Sequence, residues 1–175
     1  MDFNIKQHLL SRHIDFDVHA VYMSETKATF MLYNLSGQVV GYQQYSPLAP
    51  KLSSNALDGR YYTRRSPHLC VFGLETLSES QNTIFITEGI FDIARLTEKG
   101  CSGIALLTNS PNSSMYNFLD CLPKRRILVI DNDKGGQFLK KTLTGLIHDV
   151  IIPPFKDLGE ATDDYVNQII DEYKD

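Results

Sequence analysis

The sequence predicts an α/β protein, a mainly parallel sheet flanked by helices, with a small N-terminal α+β appendage. Two observations carry that expectation. From about Thr83 onward, short apolar runs alternate with helix-length segments, the pattern of βαβ units around a parallel sheet. The runs themselves, TIFIT at Thr83–Thr87 and RILVI at 126–130, are almost continuously apolar and rich in β-branched residues, as strands covered on both faces are.

Strands are expected over 83–87, 103–107, 126–130 and 149–152. Between them, Ile90, Ile93, Ala94 and Leu96 mark one helix, and Met115, Phe118 and Leu119 mark a shorter one. Phe138, Leu139, Leu143, Leu146 and Ile147 mark a third. Val166, Ile169, Ile170 and Tyr173, spaced i, i+3, i+4 and i+7, make a terminal amphipathic helix. The first 82 residues read differently. A helical start over 4–12 precedes strand-like runs at Ala28–Tyr33 and 38–45, joined by Asn34-Leu35-Ser36-Gly37, a hairpin-turn composition. Pro47, Pro50, Ser53, Ser54, Asn55, Asp58 and Gly59 then form an exposed loop. The expected division is therefore 1–82 and 83–175.

A chain of 175 residues at 42% hydrophobic content buries a core without covalent staples. Cys70, Cys101 and Cys121 are odd in number and widely spaced, which points to reduced thiols rather than a disulfide framework or zinc ribbon. The N-terminus carries charges throughout, and no run approaches the roughly 18 apolar residues of a membrane span. A cytoplasmic protein with no membrane partner is expected. The net charge of −4 argues at first against a phosphate-rich partner. Its distribution weakens that argument: residues 157–175 hold seven Asp or Glu and one Lys, a net of −6, and the rest of the chain nets +2.

Two acidic patterns follow the apolar runs, Thr87-Glu88-Gly89 and Asp131-Asn132-Asp133, where open α/β sheets build their sites. Each has an ordinary reading. Glu88 suits the first turn of a helix, and Asp131 to Gly136 suits a turn leading into one. Asp157, in Lys156-Asp157-Leu158-Gly159-Glu160, has capping-box spacing to Glu160 at the last helix. Three acidic patterns at three strand ends are harder to dismiss than any one. Together they form a hard, oxygen-rich cluster suited to Mg²⁺ or Mn²⁺ and to phosphoryl transfer. Lys51, Arg60, Arg64 and Arg65 with Tyr61 and Tyr62 suit a nucleic-acid or nucleotide surface, or equally a solvated loop over the core edge. The five histidines show no metal spacing, and Ser110 and Ser113 lack the setting of a hydrolase nucleophile.

The order Glu88-Gly89, Asp131-x-Asp133 with Lys134-Gly135-Gly136, then Lys156-Asp157 resembles the TOPRIM domain of bacterial-type primases, topoisomerases and small nucleases, over about 82–164. Upstream, Gly37-Gln38-Val39-Val40-Gly41-Tyr42 and the stretch Arg60-Tyr61-Tyr62-Thr63-Arg64-Arg65-Ser66-Pro67, followed by Val71-Phe72-Gly73-Leu74, resemble the segment that precedes it in primases. The resemblance implies a TOPRIM-type sheet, Glu88 as acid-base group, Asp131 and Asp133 as ligands of Mg²⁺ or Mn²⁺, and Asp157 as a further acidic group beside the metals. It also implies a compact, phage-like primase core that joins ribonucleoside triphosphates on a single-stranded DNA template. Lys134 would join the basic residues as a nucleotide contact. A replicative helicase or a zinc-module protein would act in trans. A TOPRIM nuclease and a non-catalytic nucleic-acid or replisome-binding module are the alternatives.

Overall fold

The computed structural model describes residues 3–173. Two four-stranded sheets share one core. The first is antiparallel, in the order β1 (Val21–Met23), β2 (Ala28–Tyr33), β3 (Val39–Tyr45) and β4 (Tyr61–Arg65). β2 alternates buried Ala28, Phe30 and Leu32 with partly exposed neighbours, as a strand with one covered face does. It pairs with β3 through a turn in which Gly37 adopts φ +74° and the Asn34 side chain accepts from the Ser36 and Gln38 amides. The left-handed backbone at Gly37 costs a glycine little.

The second sheet is wholly parallel, in the order β6 (Gly103–Ala105), β5 (Thr83–Thr87), β7 (Arg125–Val129) and β8 (Asp149–Ile151). All five residues of β5 are buried, as the apolar run required. Strands β6, β7 and β8 end one or two residues earlier than the apolar runs do, although their pairing continues past the ends: Ile130 N donates to Ile151 O at 3.1 Å and Leu106 N to Thr87 O at 3.0 Å. After β5 the chain crosses to β6 on one side, then returns to β7 on the other. The sheet order thus reverses between the two central strands.

Helix α1 (Ile5–Leu10) precedes the first sheet, and α2 (Ile90–Thr97), α3 (Ser113–Cys121) and α4 (Lys134–Thr142) connect the parallel strands. Helix α5 (Asp163–Tyr173) buries Val166 and Ile169. The expected third helix stops at Thr142, so Leu143, Leu146 and Ile147 follow it in turns, and Phe138 is 51% exposed. Its apolar periodicity outlasts the helix because those three side chains reach the core from the turns. Tyr61–Arg65, read from sequence as part of a loop, is an edge strand that pairs Tyr45 with Tyr61 and Gly41 with Arg65. Asp157 caps a short 3-10 turn, Leu158–Glu160, rather than the last helix.

Every residue of α2 is buried, so the helix is covered all round. One side of it lies on the parallel sheet, and Phe91 meets the first sheet edge-on, against Phe30 at 6.1 Å and Tyr45 at 4.8 Å between centroids. Phe30 also meets Phe72 at 5.7 Å. Phe72 exchanges both backbone hydrogen bonds with Ala105 beside β6, so this aromatic cluster welds the two sheets. Truncation of Phe30, fully buried here, should cost about 3–5 kcal/mol. Urea denaturation of Phe30→Ala checks this, and a loss below about 1 kcal/mol would show that the sheets do not depend on the cluster.

Candidate active site

The reversal of strand order between β5 and β7 opens a crevice at the carboxyl ends of those strands. A cleft of about 540 Å³ lies there, lined by Glu88, Asp92, Asp131, Asp133 and Asp157 on the parallel-sheet side. Glu88 directly follows β5, Asp131 lies two residues beyond β7, and Asp133 caps α4. The Asp133 side chain accepts from Gly136 N at 2.9 Å, and that of Asp157 from Glu160 N at 3.0 Å. Capping therefore orients these two carboxylates at the rim instead of competing with a role there. Gly136 is required by packing: a Cβ on it would lie 2.1 Å from the Asp131 carbonyl oxygen. A Cβ on Gly135 would lie 3.2 Å from Asp133 Oδ1, 3.6 Å from Asn109 Nδ2 and 3.8 Å from Glu88 Oε2, so those three groups flank one glycine.

The carboxylates strain against one another. Asp131 is pushed up to about 7, first by burial and then by Asp92, Glu88, Asp157 and Asp133 in turn. Burial pushes Asp92 up to about 6, opposed by the Gly159 N–H that donates to its Oδ1 at 2.9 Å. Glu88 is raised by burial and by Asp133, with Lys51 pulling the other way. Asp92 was not among the sequence candidates. Its signal was present: Asp92 is the lone carboxylate of α2, and a carboxylate in a helix covered all round needs a partner or a function.

The opposite wall is basic. Lys51, Arg60, Tyr61 and Thr63 line it from the first sheet and the loop before β4, with Thr63 held by Gln43 Nε2 at 2.7 Å. Strand alternation sends Tyr62 to the other face, where it packs near Tyr42 at 6.2 Å, and Arg64 follows it. Arg65 turns toward the Leu107 carbonyl at 3.4 Å, and Lys134 opens α4 outside the cleft lining. Of the basic and aromatic residues singled out in sequence, the fold therefore brings Lys51, Arg60 and Tyr61 to the acidic cluster and leaves Tyr62, Arg64, Arg65 and Lys134 off its walls. The phenol of Tyr61 is pushed up to about 12 by burial and by Tyr45, so it stays neutral.

Arg12, distant in sequence, completes this wall. Its guanidinium lies 4.4 Å from the centroid of the Phe91 ring and its Nη2 would be 3.1 Å from a Cβ on Gly159, beside Asp92 and Asp157. The adjoining His13, at φ +63°, places its Nδ1 2.8 Å from Glu98 Oε2 and takes Arg95 at its other nitrogen. Buried Arg95 in turn lies 2.9 Å from Asp163 Oδ1 and donates to Ala161 O at 2.9 Å. No local pattern could have found Arg12, since it reaches the cleft only through this long-range packing.

A divalent ion is the group that this chemistry implies. The donors are hard oxygens whose mutual repulsion an ion would relieve, and Lys156 is only loosely set, 3.9 Å from Asp157 and 3.5 Å from Glu160. Among the described residues, no three His, Cys, Asp or Glu side chains stand close enough to form a complete cage. The set fits an ion of the Mg²⁺ class, which takes one or two carboxylates and fills its remaining positions with water and phosphate oxygens.

No family model matches the chain, and no curated protein matches it in sequence. Solved structures do. The zinc-binding and RNA polymerase domains of the Aquifex aeolicus primase superpose with a TM-score of 0.65 at 19% identity, covering 85% of this chain and 40% of that one. The primase fragment of the bacteriophage T7 primase-helicase gives 0.63 at 14% identity over 92% of this chain and 68% of that one. A DnaG primase catalytic domain bound to single-stranded DNA gives 0.62 at 14%, over 96% and 58%. The fold is that of primase catalytic domains. The chain spans between two fifths and about two thirds of the length of these primase structures.

The raised carboxyls carry a sign for stability. A carboxyl whose folded pKa lies above its unfolded value holds a proton in the folded state that the unfolded chain has released. Stability is then lost as pH rises from about 4 toward 7. Asp131→Asn should therefore stabilise the metal-free protein at pH 8, by about 1–2 kcal/mol after screening by cleft water, and change little at pH 4.5. Urea denaturation at the two pH values checks it, and destabilisation at pH 8 would mean that the Asp131 carboxylate is structurally required.

Proposed function

We propose that the chain is a compact TOPRIM-type primase core, with residues 83–175 as the TOPRIM part and 1–82 as the basic wall, that makes short RNA primers on single-stranded DNA. The observation that carries this reading is one cleft of about 540 Å³ with an acidic wall at the strand ends and a basic, aromatic wall facing it, on a fold shared with primase catalytic domains. Nucleotidyl transfer needs both walls: cations to hold the triphosphate and template phosphates, and carboxylates to handle a proton and an ion.

In this reading Arg12, Lys51, Arg60 and Lys156 bind phosphate oxygens, and the neutral ring of Tyr61 stacks on a base. Asp131 and Asp133, with Asp92 and Asp157 beside them, would hold Mg²⁺ or Mn²⁺, and such an ion would supply positive charge against the triphosphate and the leaving pyrophosphate. Glu88 takes the proton of the attacking 3′-hydroxyl. The hydroxyl oxygen bonds to the α-phosphorus as the bond to the pyrophosphate oxygen breaks. Burial raises the Glu88 carboxyl above its ordinary value, which strengthens it as the base that takes this proton.

Incubation of the protein with labelled single-stranded DNA, ribonucleoside triphosphates and Mn²⁺ tests the reading. Lengthened ribonucleotide products are expected, with Glu88→Gln reducing them at least 100-fold while remaining folded. Shortened strands would replace this reading with nuclease action, and a shifted band alone with a binding module. For template binding, Lys51→Ala should weaken affinity several-fold and lower the salt slope by about 1, because it removes one phosphate contact. Arg64→Ala, on the far face of β4, should leave affinity within about twofold. Equal effects from the two variants in an anisotropy titration would place the strand elsewhere.

A further inference from the structure

The loop that follows β6 holds the least ordinary backbone near the cleft. Leu107 adopts φ +59°, a conformation that side-chain-bearing residues avoid, and it is retained because both of its peptide groups are engaged. Leu107 N donates to Glu88 O at 2.9 Å, and Leu107 O accepts from Arg65 Nη2 at 3.4 Å. Thr108 Oγ1 accepts from Ser110 N at 3.1 Å, and Asn112 Nδ2 donates to Pro67 O at 3.2 Å. This bracing brings Leu107 and one polar side chain, Asn109, to the cleft. Its amide is half-buried and has no hydrogen-bond partner among the described residues, while Thr108 and Asn112 on either side are engaged. Its Nδ2 shares the Gly135 surface with Glu88 Oε2 and Asp133 Oδ1.

A neutral amide beside two carboxylates is a poor place for a phosphate, which the opposite wall serves better. It suits a neutral hydroxyl. A carboxylate only accepts, whereas an amide both donates and accepts, so a hydroxyl can receive from Asn109 Nδ2 while giving its proton to a carboxylate oxygen. If the 3′-hydroxyl of a growing strand faces Glu88, the neighbouring position on the same sugar is the 2′-hydroxyl, on the side of Asn109. Resting on the primase reading above, we propose that Asn109 binds the 2′-hydroxyl of the strand end, making the protein prefer a ribonucleotide terminus over a deoxyribonucleotide one. A half-buried amide left unpartnered by a deoxy end is the physical source of that preference.

The test uses two DNA oligonucleotides annealed to one template, identical except for a single ribose or deoxyribose at the 3′ end. Binding is read by anisotropy with Mn²⁺, then extension by adding ribonucleoside triphosphates. The protein should favour the ribose end about tenfold in binding and extension, and Asn109→Ala should bring the ratio to about twofold or less. Asn109→Ser, which keeps a hydroxyl donor, should restore part of it and carries the comparison if the alanine variant melts early. Equal binding of the two ends by the unaltered protein, or an undiminished ratio in both variants, overturns the proposal. Extension of both ends without preference leaves the primase reading standing while removing the role of Asn109. A binding preference without any extension keeps the Asn109 contact and removes the primase reading.

Discussion

The parallel register of β5 with β7 is the constraint on which the rest of this molecule depends. Pairing Ile86 with Leu128 brings the two strand ends level, so Glu88 and Asp131 emerge side by side at the place where the chain reverses its direction of travel across the sheet. Everything acidic in the cleft follows from that register. Asn132 N donates to Lys156 O at 2.9 Å and ties the loop after β7 to the one after β8, which brings Asp157 alongside. Buried α2, packed over the same edge, contributes Asp92. Within that set burial and neighbouring carboxylates drive Glu88, Asp92 and Asp131 toward protonation, an arrangement that costs stability near neutral pH and makes sense where a cation is to be gathered.

The first sheet gives this acidic edge a facing wall. Its position is set by aromatic packing around Phe30, Phe72 and Phe91 together with the paired backbone hydrogen bonds of Phe72 and Ala105. One consequence is a separation of labour by charge within an overall acidic chain. The cations of this wall come from two segments remote in sequence, Arg12 from the N-terminal region and Lys51 and Arg60 from the stretch before β4, and are assembled only by that packing. The His13, Arg95 and Asp163 chain extends the assembly to α5, so that the two ends of the described chain meet behind the cleft.

Legibility in the sequence varied with how local each determinant is. β5 was readable because a strand buried on both faces must be apolar throughout, and the positions of Glu88 and Asp131 followed from the strand ends alone. β4 was not, because Tyr-Tyr-Thr-Arg-Arg is an edge strand with one solvated face and no apolar alternation to reveal it. With the strand missed, the alternation that separates Tyr61 from Tyr62 and Arg64 was invisible as well. Phe138 was placed in a core from its spacing, yet it is the following turn, not the helix face, that buries Leu143. Asp92 escaped because apolar periodicity draws attention to the hydrophobic residues of a helix and not to the carboxylate among them. Arg12 and Asn109 are set by tertiary contacts, and single-residue patterns carry no trace of those.

The central claim is that the repulsion stored at the β5 and β7 ends is relieved by a divalent cation. Thermal denaturation at pH 8, with and without millimolar Mn²⁺, tests it most directly, because an ion that binds only the folded state raises the melting temperature in proportion to its occupancy. The account predicts a rise of about 5 °C or more, abolished in Asp131→Asn. A melting temperature that Mn²⁺ leaves unmoved in the unaltered protein, or raises equally in the variant, would contradict it.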